Sequence, residues 1–286
     1  MKTSQKIKQN VVNQIAKTTL YENVSELMKM QQIYEAGIKE IRTKLEILDA
    51  EFKVKHDHNP IHHIESRLKS PESILKKAIS KDIPVTERSL EENIHDIAGV
   101  RVICNYVDDV YKVAQLLTDQ DDIRLVEVKD YIANPKESGY RSYHITIKYP
   151  ILYGETRKDV VCEVQIRTLA MNFWSTIEHS LKYKYEGKIP EELKYKLQSS
   201  AEIAFNLDKE MDYIRNELFE TQNIQETKDI IVNKIMENIH NLYYHGNNEQ
   251  MAEYNNRFLL LYREGNIKKL SEFNIELEAT LKLYSA

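Results

Sequence analysis

The sequence predicts an α/β (α+β) fold: a β-sheet flanked by helices, with helical extensions at both ends. Three observations carry this. Stretches of strict two-residue alternation stand between stretches of helical periodicity, and from Asp159 to Tyr185 the period switches within one segment. Only 7 Gly and 6 Pro occur in 286 residues, which disfavours long irregular loops. Apolar residues make up 42%, enough for a sizeable core.

Residues 1–56 read as helix. Val24, Leu27, Met28, Ile33, Ile38, Ile41, Leu45 and Leu48 form a broken apolar stripe suited to packing or oligomerisation. His56, His58, His62 and His63 cluster around Pro60, but without Cys or helical His spacing they read as a surface turn rather than a metal site. A strand through Ile64, Ser66 and Leu68 points Arg67 and Lys69 the same way. Ser70 then suits an N-cap and Pro71 the first helical position, with Ser73 in the first turn and Lys77 one turn on. Cations beside a helix N-terminus suit phosphate, although these residues alone fit a solvated basic corner equally well.

Residues 89–106 lead into a strand in which Val100, Val102 and Cys104 alternate with Arg101 and Ile103. Asp96, just before it, reads as a cap if alone. Paired with Glu163 on a neighbouring strand it becomes a candidate Mg²⁺ ligand, since Mg²⁺ is held by one or two carboxylates plus substrate phosphates. A short helix over 108–118 precedes a strand over 122–131. In the loop that follows, Asn134-Pro135 starts a turn, Gly139 permits a positive φ, and Lys136 and Tyr140 flank it, suited to a phosphate and a stacked base. The alternative is a capped hairpin with a packed Tyr. Tyr143, Ile145, Ile147 and Tyr149 then alternate with His144, Thr146 and Lys148, so His144 faces away from the apolar side.

The stretch from Asp159 to Tyr185 organises the rest. Val160, Cys162, Val164 and Ile166 share one strand face, with Glu163, Gln165 and Arg167 in a row on the other. Ala170, Phe173, Trp174, Ile177, Leu181 and Tyr185 recur at helical spacing, predicting a helix that packs back on the core. After a break at GKIP (187–190), a helix is expected over about 190–220 through Leu193, Leu197, Ile203, Leu207, Met211 and Leu218. Two or three more follow, separated near His245-Gly246-Asn247 and Glu264-Gly265-Asn266.

Composition narrows the function classes. A net charge of −5 gives no reason to expect a nucleic-acid partner. The 18 Tyr read as amphipathic packing, and Cys104 and Cys162 as buried thiols in a reducing compartment. No signal-peptide core or run of about 18 apolar residues is present. The expectation is a cytoplasmic protein without membrane attachment.

Arg67-Leu-Lys69, Ser73 and Lys77, then HDIAGVRVIC, KDYIANPKESGYRSYH and EVQIRTLAMNFWSTIEHSLKYKY, together resemble the synthetase domain of RelA/SpoT-type alarmone synthetases. The likeness runs from about His58 to Leu218. With no room for hydrolase and regulatory domains, the chain resembles the stand-alone small alarmone synthetases. That implies a nucleotidyltransferase-like mixed sheet over residues 58–220, between an N-terminal helical segment (1–57) and a C-terminal helical extension (221–286). It implies transfer of the β,γ-pyrophosphate of ATP to the 3′-hydroxyl of GTP or GDP, with Mg²⁺ as cofactor. By resemblance, Arg67 and Arg101 sandwich adenine, while Lys69, Ser73 and Lys77 contact the ATP phosphates. Asp96 and Glu163 are the catalytic acids and metal ligands, Glu163 near the acceptor hydroxyl. Tyr140 stacks on guanine. Lys136, His144 and Gln165 are acceptor-side contacts, and Lys129 is a basic position near the phosphates on the GTP side. Some small synthetases form tetramers, so a homo-oligomer is expected. Two departures stand out. Ser138 replaces an Asn frequent in long members, and Ile61–Ser66 offers His and Glu where an anionic activator needs other partners. The rival readings are a toxic relative that pyrophosphorylates tRNA 3′ ends or adenine nucleotides, and a non-catalytic nucleotide-binding or assembly module.

Overall fold

The computed structural model describes residues 2–55, 58–185, 189–244 and 248–284, and for residues 2–26, 183, 248, 249 and 251 the backbone alone. His56, the Gly187-Lys188 part of the expected break, the His245-Gly246-Asn247 break and the Val24 side chain lie outside the described residues. The chain divides into two compact units, Met1–Asp212 and Tyr213–Ala286.

The first unit is built on a five-stranded sheet, β1 (Ile61–Leu68), β2 (Ala98–Cys104), β3 (Arg124–Asp130), β4 (Tyr143–Tyr153) and β5 (Thr156–Thr168), in the order β1-β2-β5-β4-β3. β2 runs parallel to β5 and every other neighbouring pair is antiparallel, so the sheet is mixed, as expected. One face is apolar: Val100, Val102, Ile145, Val160, Cys162, Val164 and Ile166 are all buried. α1 (Lys2–Lys55) packs on β1, β2, β4 and β5 through Leu27, Met30, Tyr34, Ile38, Ile41 and Leu45. Their spacing of three and four residues marks one face of a helix. Met28, in the expected stripe, instead points outward. α4 (Val107–Thr118) joins the same core, with Tyr111 edge-on to Tyr143. α2 (Pro71–Ser80) and α3 (Glu87–Asn93) bridge β1 to β2, and α3 was not anticipated.

Three further differences are informative. β4 runs on through Pro150 to Tyr153 and returns as β5 from Thr156, a hairpin tip masked in the sequence by Pro150 and the charges of residues 155–159. α5 (Leu169–Lys184) presents a different face from the expected one: Met171, Trp174, Ser175 and Glu178 are buried, whereas Phe173 is 70% exposed and Ile177 46%. Ser175 and Glu178 go inside because Arg167 and Lys182 partner them. α6 (Glu191–Tyr243) begins where expected but runs on past residue 220, and its stripe of Leu193, Ile203, Leu207, Met211 and Leu218 is exposed. Within the first unit, α6 is tied to the core by Trp174 Nε1, which donates to the Leu197 carbonyl at 3.0 Å, and by Thr168 Oγ1, which donates to Asp208 at 2.7 Å.

The second unit comprises the rest of α6 with α7 (Asn248–Glu264) and α8 (Ile267–Tyr284), the last two separated at Gly265. Ile235, Ile239, Leu242, Leu270, Phe273 and Leu277 form its buried cluster. Among the described residues, no helix is long and apolar enough to cross a membrane.

Candidate active site

The face of the sheet opposite α1 carries the polar chemistry, and strand register sorts it into rows. Glu65, Arg101, Gln165, His144 and Lys129 are aligned straight across all five strands. One step along, Arg67, Gly99, Glu163, Thr146 and Glu127 form a second row. Aligned positions in a ladder share a face, so these side chains meet although they come from distant parts of the chain. Gly99 leaves a gap between Arg67 and Glu163, and there a small cavity opens, lined by Arg67, Arg101, Asp96, Glu163 and Gln165 among others.

Asp96 lies two residues ahead of β2, in the turn that leads into it, and its carboxylate is clasped at both oxygens. Lys69 Nζ donates to one at 2.6 Å and Lys77 Nζ to the other at 2.8 Å. Lys69 stands one residue beyond β1, its backbone N–H on the Ile97 carbonyl. Lys77 comes from α2, whose N-cap Ser70 accepts from the Ser73 backbone N–H. Burial works to raise the Asp96 carboxyl, but hydrogen bonds from the two ammoniums outweigh it and hold the group below its ordinary value.

Glu163 faces the same cavity. The Gln165 amide donates to one of its oxygens at 2.7 Å, and His144 Nδ1 lies 3.3 Å from the other. Burial again works upward, but these two contacts prevail and bring Glu163 to about 2. His144 Nε2 sits 2.8 Å from the Tyr140 hydroxyl, whose titration burial raises. Arg167 donates to that hydroxyl at 2.9 Å.

Tyr140 is delivered by a tightly formed loop. Asp130 accepts from the N–H groups of Ile132 and Ala133, and Arg141 donates to the Ile132 carbonyl. Gly139 adopts φ +87°, and a Cβ there would stand 2.6 Å from Ala201 on α6, so the position needs glycine twice over. The Arg141 guanidinium stacks on Phe205 of α6 at 3.9 Å and pairs with Glu202 at 2.9 Å. A second, larger cavity lies between Tyr140 and α5 and shares Arg67, Arg101 and Gln165 with the first.

Of the residues singled out in the sequence, Arg67, Arg101, Asp96, Glu163 and Gln165 converge on one cavity, with Lys69 and Lys77 on Asp96, and Tyr140 and His144 reach it through Glu163 and Gln165. Lys136 sits over the Tyr140 ring at 4.9 Å, and Ser73 lies in the first turn of α2. Lys129 aligns beside His144 but pairs with Glu127 at 2.8 Å and lines neither cavity. Among the described residues, no group of three or more His, Cys, Asp or Glu could hold a metal ion, His58 being engaged by Asp109. Asp96 and Glu163 both line the first cavity. The sequence missed Gly99, which has no chemistry to notice, and the part played by Arg167. It also missed Ser175 and His179 of α5, whose four-residue spacing was the available signal.

Comparison with known proteins agrees with this geometry. Residues 66–188 match the family described as "Region found in RelA / SpoT proteins". GTP pyrophosphokinase YjbM of Bacillus subtilis is 47% identical over 189 residues, covering 66% of this chain and 88% of that protein. GTP pyrophosphokinase YwaC of the same organism is 42% identical, covering 65% and 89%. The crystal structure of small alarmone synthetase 1 from Bacillus subtilis bound to its product pppGpp superposes with a TM-score of 0.61 at 47% identity, covering 64% of this chain and 93% of that one. A GTP pyrophosphokinase family protein from Streptococcus pneumoniae gives 0.64 at 41% identity, covering 69% and 96%. The chain therefore belongs to the RelA/SpoT family of GTP pyrophosphokinases, among its small alarmone synthetases.

Proposed function

We propose that this chain is a (p)ppGpp synthetase that moves the β,γ-pyrophosphate of ATP to the 3′-hydroxyl of GTP or GDP and releases AMP. The observation that carries the reading is one cavity holding Asp96 and Glu163, walled by Arg67 and Arg101 and joined by hydrogen bonds to Tyr140. Two guanidinium planes suit the faces of adenine, which lysine could not stack on. Lys69, Lys77 and the first turn of α2 at Ser73 face the polyphosphate. Tyr140 takes guanine, with Lys136, His144 and Gln165 on the acceptor side and Lys129 further out. Asp96 and Glu163 are the residues that would hold Mg²⁺, which supplies positive charge against the phosphates when bound.

The acceptor oxygen attacks the β-phosphorus, the bond from that phosphorus to the α,β-bridging oxygen breaks, and AMP leaves with that oxygen. Alignment and charge stabilisation do most of the work in such transfers. Glu163 is ionised throughout the neutral range. Glu163 accepts a hydrogen bond from the acceptor hydroxyl, aims it at the β-phosphorus and takes its proton as the new bond forms. The exposed side chains of Leu193, Tyr195, Ile203, Leu207 and Met211 on α6 support a homo-oligomer, a tetramer by likeness to the family, working in the cytoplasm.

Purified protein incubated with labelled ATP and, separately, GTP, GDP, GMP, ATP or tRNA tests the reaction and its acceptor. Label appearing in pppGpp or ppGpp is expected, and label on tRNA or adenine nucleotides alone would overturn it. Glu163→Gln abolishes synthesis while nucleotide binding survives, measured by calorimetry beside the assay. Chelation of divalent metal also stops synthesis.

A further inference from the structure

Tyr140 belongs to a loop whose tip has little to rest on. Ala133 to Glu137 are all exposed. The tip is braced by its own backbone, the Gly139 N–H donating to the Lys136 carbonyl at 2.8 Å and the Lys136 N–H to the Tyr140 carbonyl at 3.2 Å. The Tyr140 ring is held at its far end, where the hydroxyl lies 2.8 Å from His144 Nε2 and accepts from Arg167 at 2.9 Å. A ring gripped only at its oxygen can pivot about that point. Stacking on a flat base needs a defined plane, so the backbone end must be fixed as well.

α6 supplies that second grip, on both flanks of Tyr140. Gly139 lies so close to the helix that a Cβ would stand 2.6 Å from Ala201. The Arg141 guanidinium sits 3.9 Å over the Phe205 ring and donates to Glu202 at 2.9 Å. Its Nη1 donates to the Ile132 carbonyl at 2.9 Å, so one side chain ties both ends of the loop to α6. The stack carries more of this tie than the ion pair. The Glu202 side chain is 56% exposed, where a salt bridge contributes little, whereas that of Arg141 is 12% exposed. Lys209 also covers the Phe205 ring, at 4.5 Å, but from α6 itself, and so joins nothing to the loop. α6 is seated in turn on β5 and α5: Trp174 Nε1 donates to the Leu197 carbonyl and to Ser200 Oγ, both at 3.0 Å, and Thr168 donates to Asp208 at 2.7 Å. β5 also carries Glu163 and Gln165. The Tyr140 ring and the Glu163 carboxylate are thereby referred to one frame.

We infer that α6 is the backstop of the acceptor site: through the stack of Arg141 on Phe205 it fixes the plane of the Tyr140 ring, which makes Arg141 and Phe205 positioning residues for the acceptor nucleotide. The consequence for the acceptor rests on the synthetase reading, and the mechanical tie does not. Arg141 and Phe205 line neither cavity of the site, so they act through Tyr140 rather than on the reacting atoms. The match to the RelA/SpoT region ends at residue 188, and the helix that backs this loop begins after it. Arg67, Lys69, Lys77 and Arg101, on the ATP side, stand on or beside β1, α2 and β2 rather than on the loop. Loosening the loop should therefore weaken the acceptor and spare the donor.

The test pairs steady-state kinetics, varying GDP and ATP in turn, with amide hydrogen exchange on the nucleotide-free full chain. Phe205→Leu keeps an apolar side chain and removes the aromatic face, and Phe205→Tyr keeps the face. Phe205→Leu should raise the KM for GDP about tenfold and leave the KM for ATP within about twofold, since a small misplacement is felt on that scale. Phe205→Tyr should bring the KM for GDP back to within about threefold of wild type. In Phe205→Leu the amides of Lys136 and Gly139 should exchange at least about tenfold faster, with those of β5 unchanged. Emission from Trp174, the single Trp of the chain, should keep its wild-type position and show α6 still seated. An unchanged KM for GDP, both KM values rising together, or a loop that exchanges at the wild-type rate overturns the inference. If Phe205→Leu does not fold, Arg141→Met set against Arg141→Lys decides the same question by the same readouts. Wild-type protein that makes no alarmone from ATP and GDP would sink the synthetase reading, and the exchange measurement would still report whether α6 holds the loop.

Discussion

Gly99 sets how much room lies between Arg67 and Glu163. A Cβ there would meet Arg67 Cγ at 3.5 Å, an ordinary contact, so the position is open for reasons other than strain. Gly99→Val should therefore leave the melting temperature near wild type, raise the KM for ATP at least about tenfold and slow turnover, which steady-state kinetics beside a thermal melt would check. Retained ATP affinity would show that the ligand does not enter this gap. The residues that converge on the first cavity were legible in the sequence, because carboxylates, lysines and a Tyr-bearing turn stand in recognisable strings. Their company was not. Glu65 meets Arg101, and Gln165 meets His144, only through registers between strands dozens of residues apart. A one-residue slip in any of them would send the row to the other face.

Among the elements, β5 was readable because its burial alternates residue by residue from Val160 to Ile166. α5 was misread because burial there follows hydrogen bonding, with Ser175 and Glu178 inside and Phe173 outside. The contact between β5 and α6 has its own pH dependence. Asp208, 6% exposed on α6, accepts from Thr168, and burial pushes its carboxyl up to about 6 despite that bond. The folded chain thus keeps a proton that the unfolded chain releases near pH 4. Stability falls as pH rises from about 4 to about 6 and then levels off. Asp208→Asn keeps an acceptor for Thr168 and removes the ionisation. It should raise Tm by about 2–4 °C at pH 7.5, on the order of 1 kcal/mol, and leave it unchanged at pH 4. Equal gains at both pH values would show that ionisation is not the cause.

At the scale of the whole molecule, the second unit has a buried cluster of its own, with Phe273 1% exposed at its centre. Phe273→Ala should cost about 3–5 kcal/mol there. Differential scanning calorimetry should then show one transition falling while another holds, with product formation within about twofold of wild type. Loss of synthesis would tie that cluster to catalysis. The sequence showed these helices but not the length of α6, since no Gly or Pro marks where one packing environment hands over to the next. The chain as a whole is acidic, at −5, yet it gathers two lysines on a carboxylate that lines the first cavity. Asp96 reconciles the two by serving as a resident counter-ion for Lys69 and Lys77. An incoming polyanion has to pry both ammoniums away and leave that carboxylate bare unless it brings something to satisfy it.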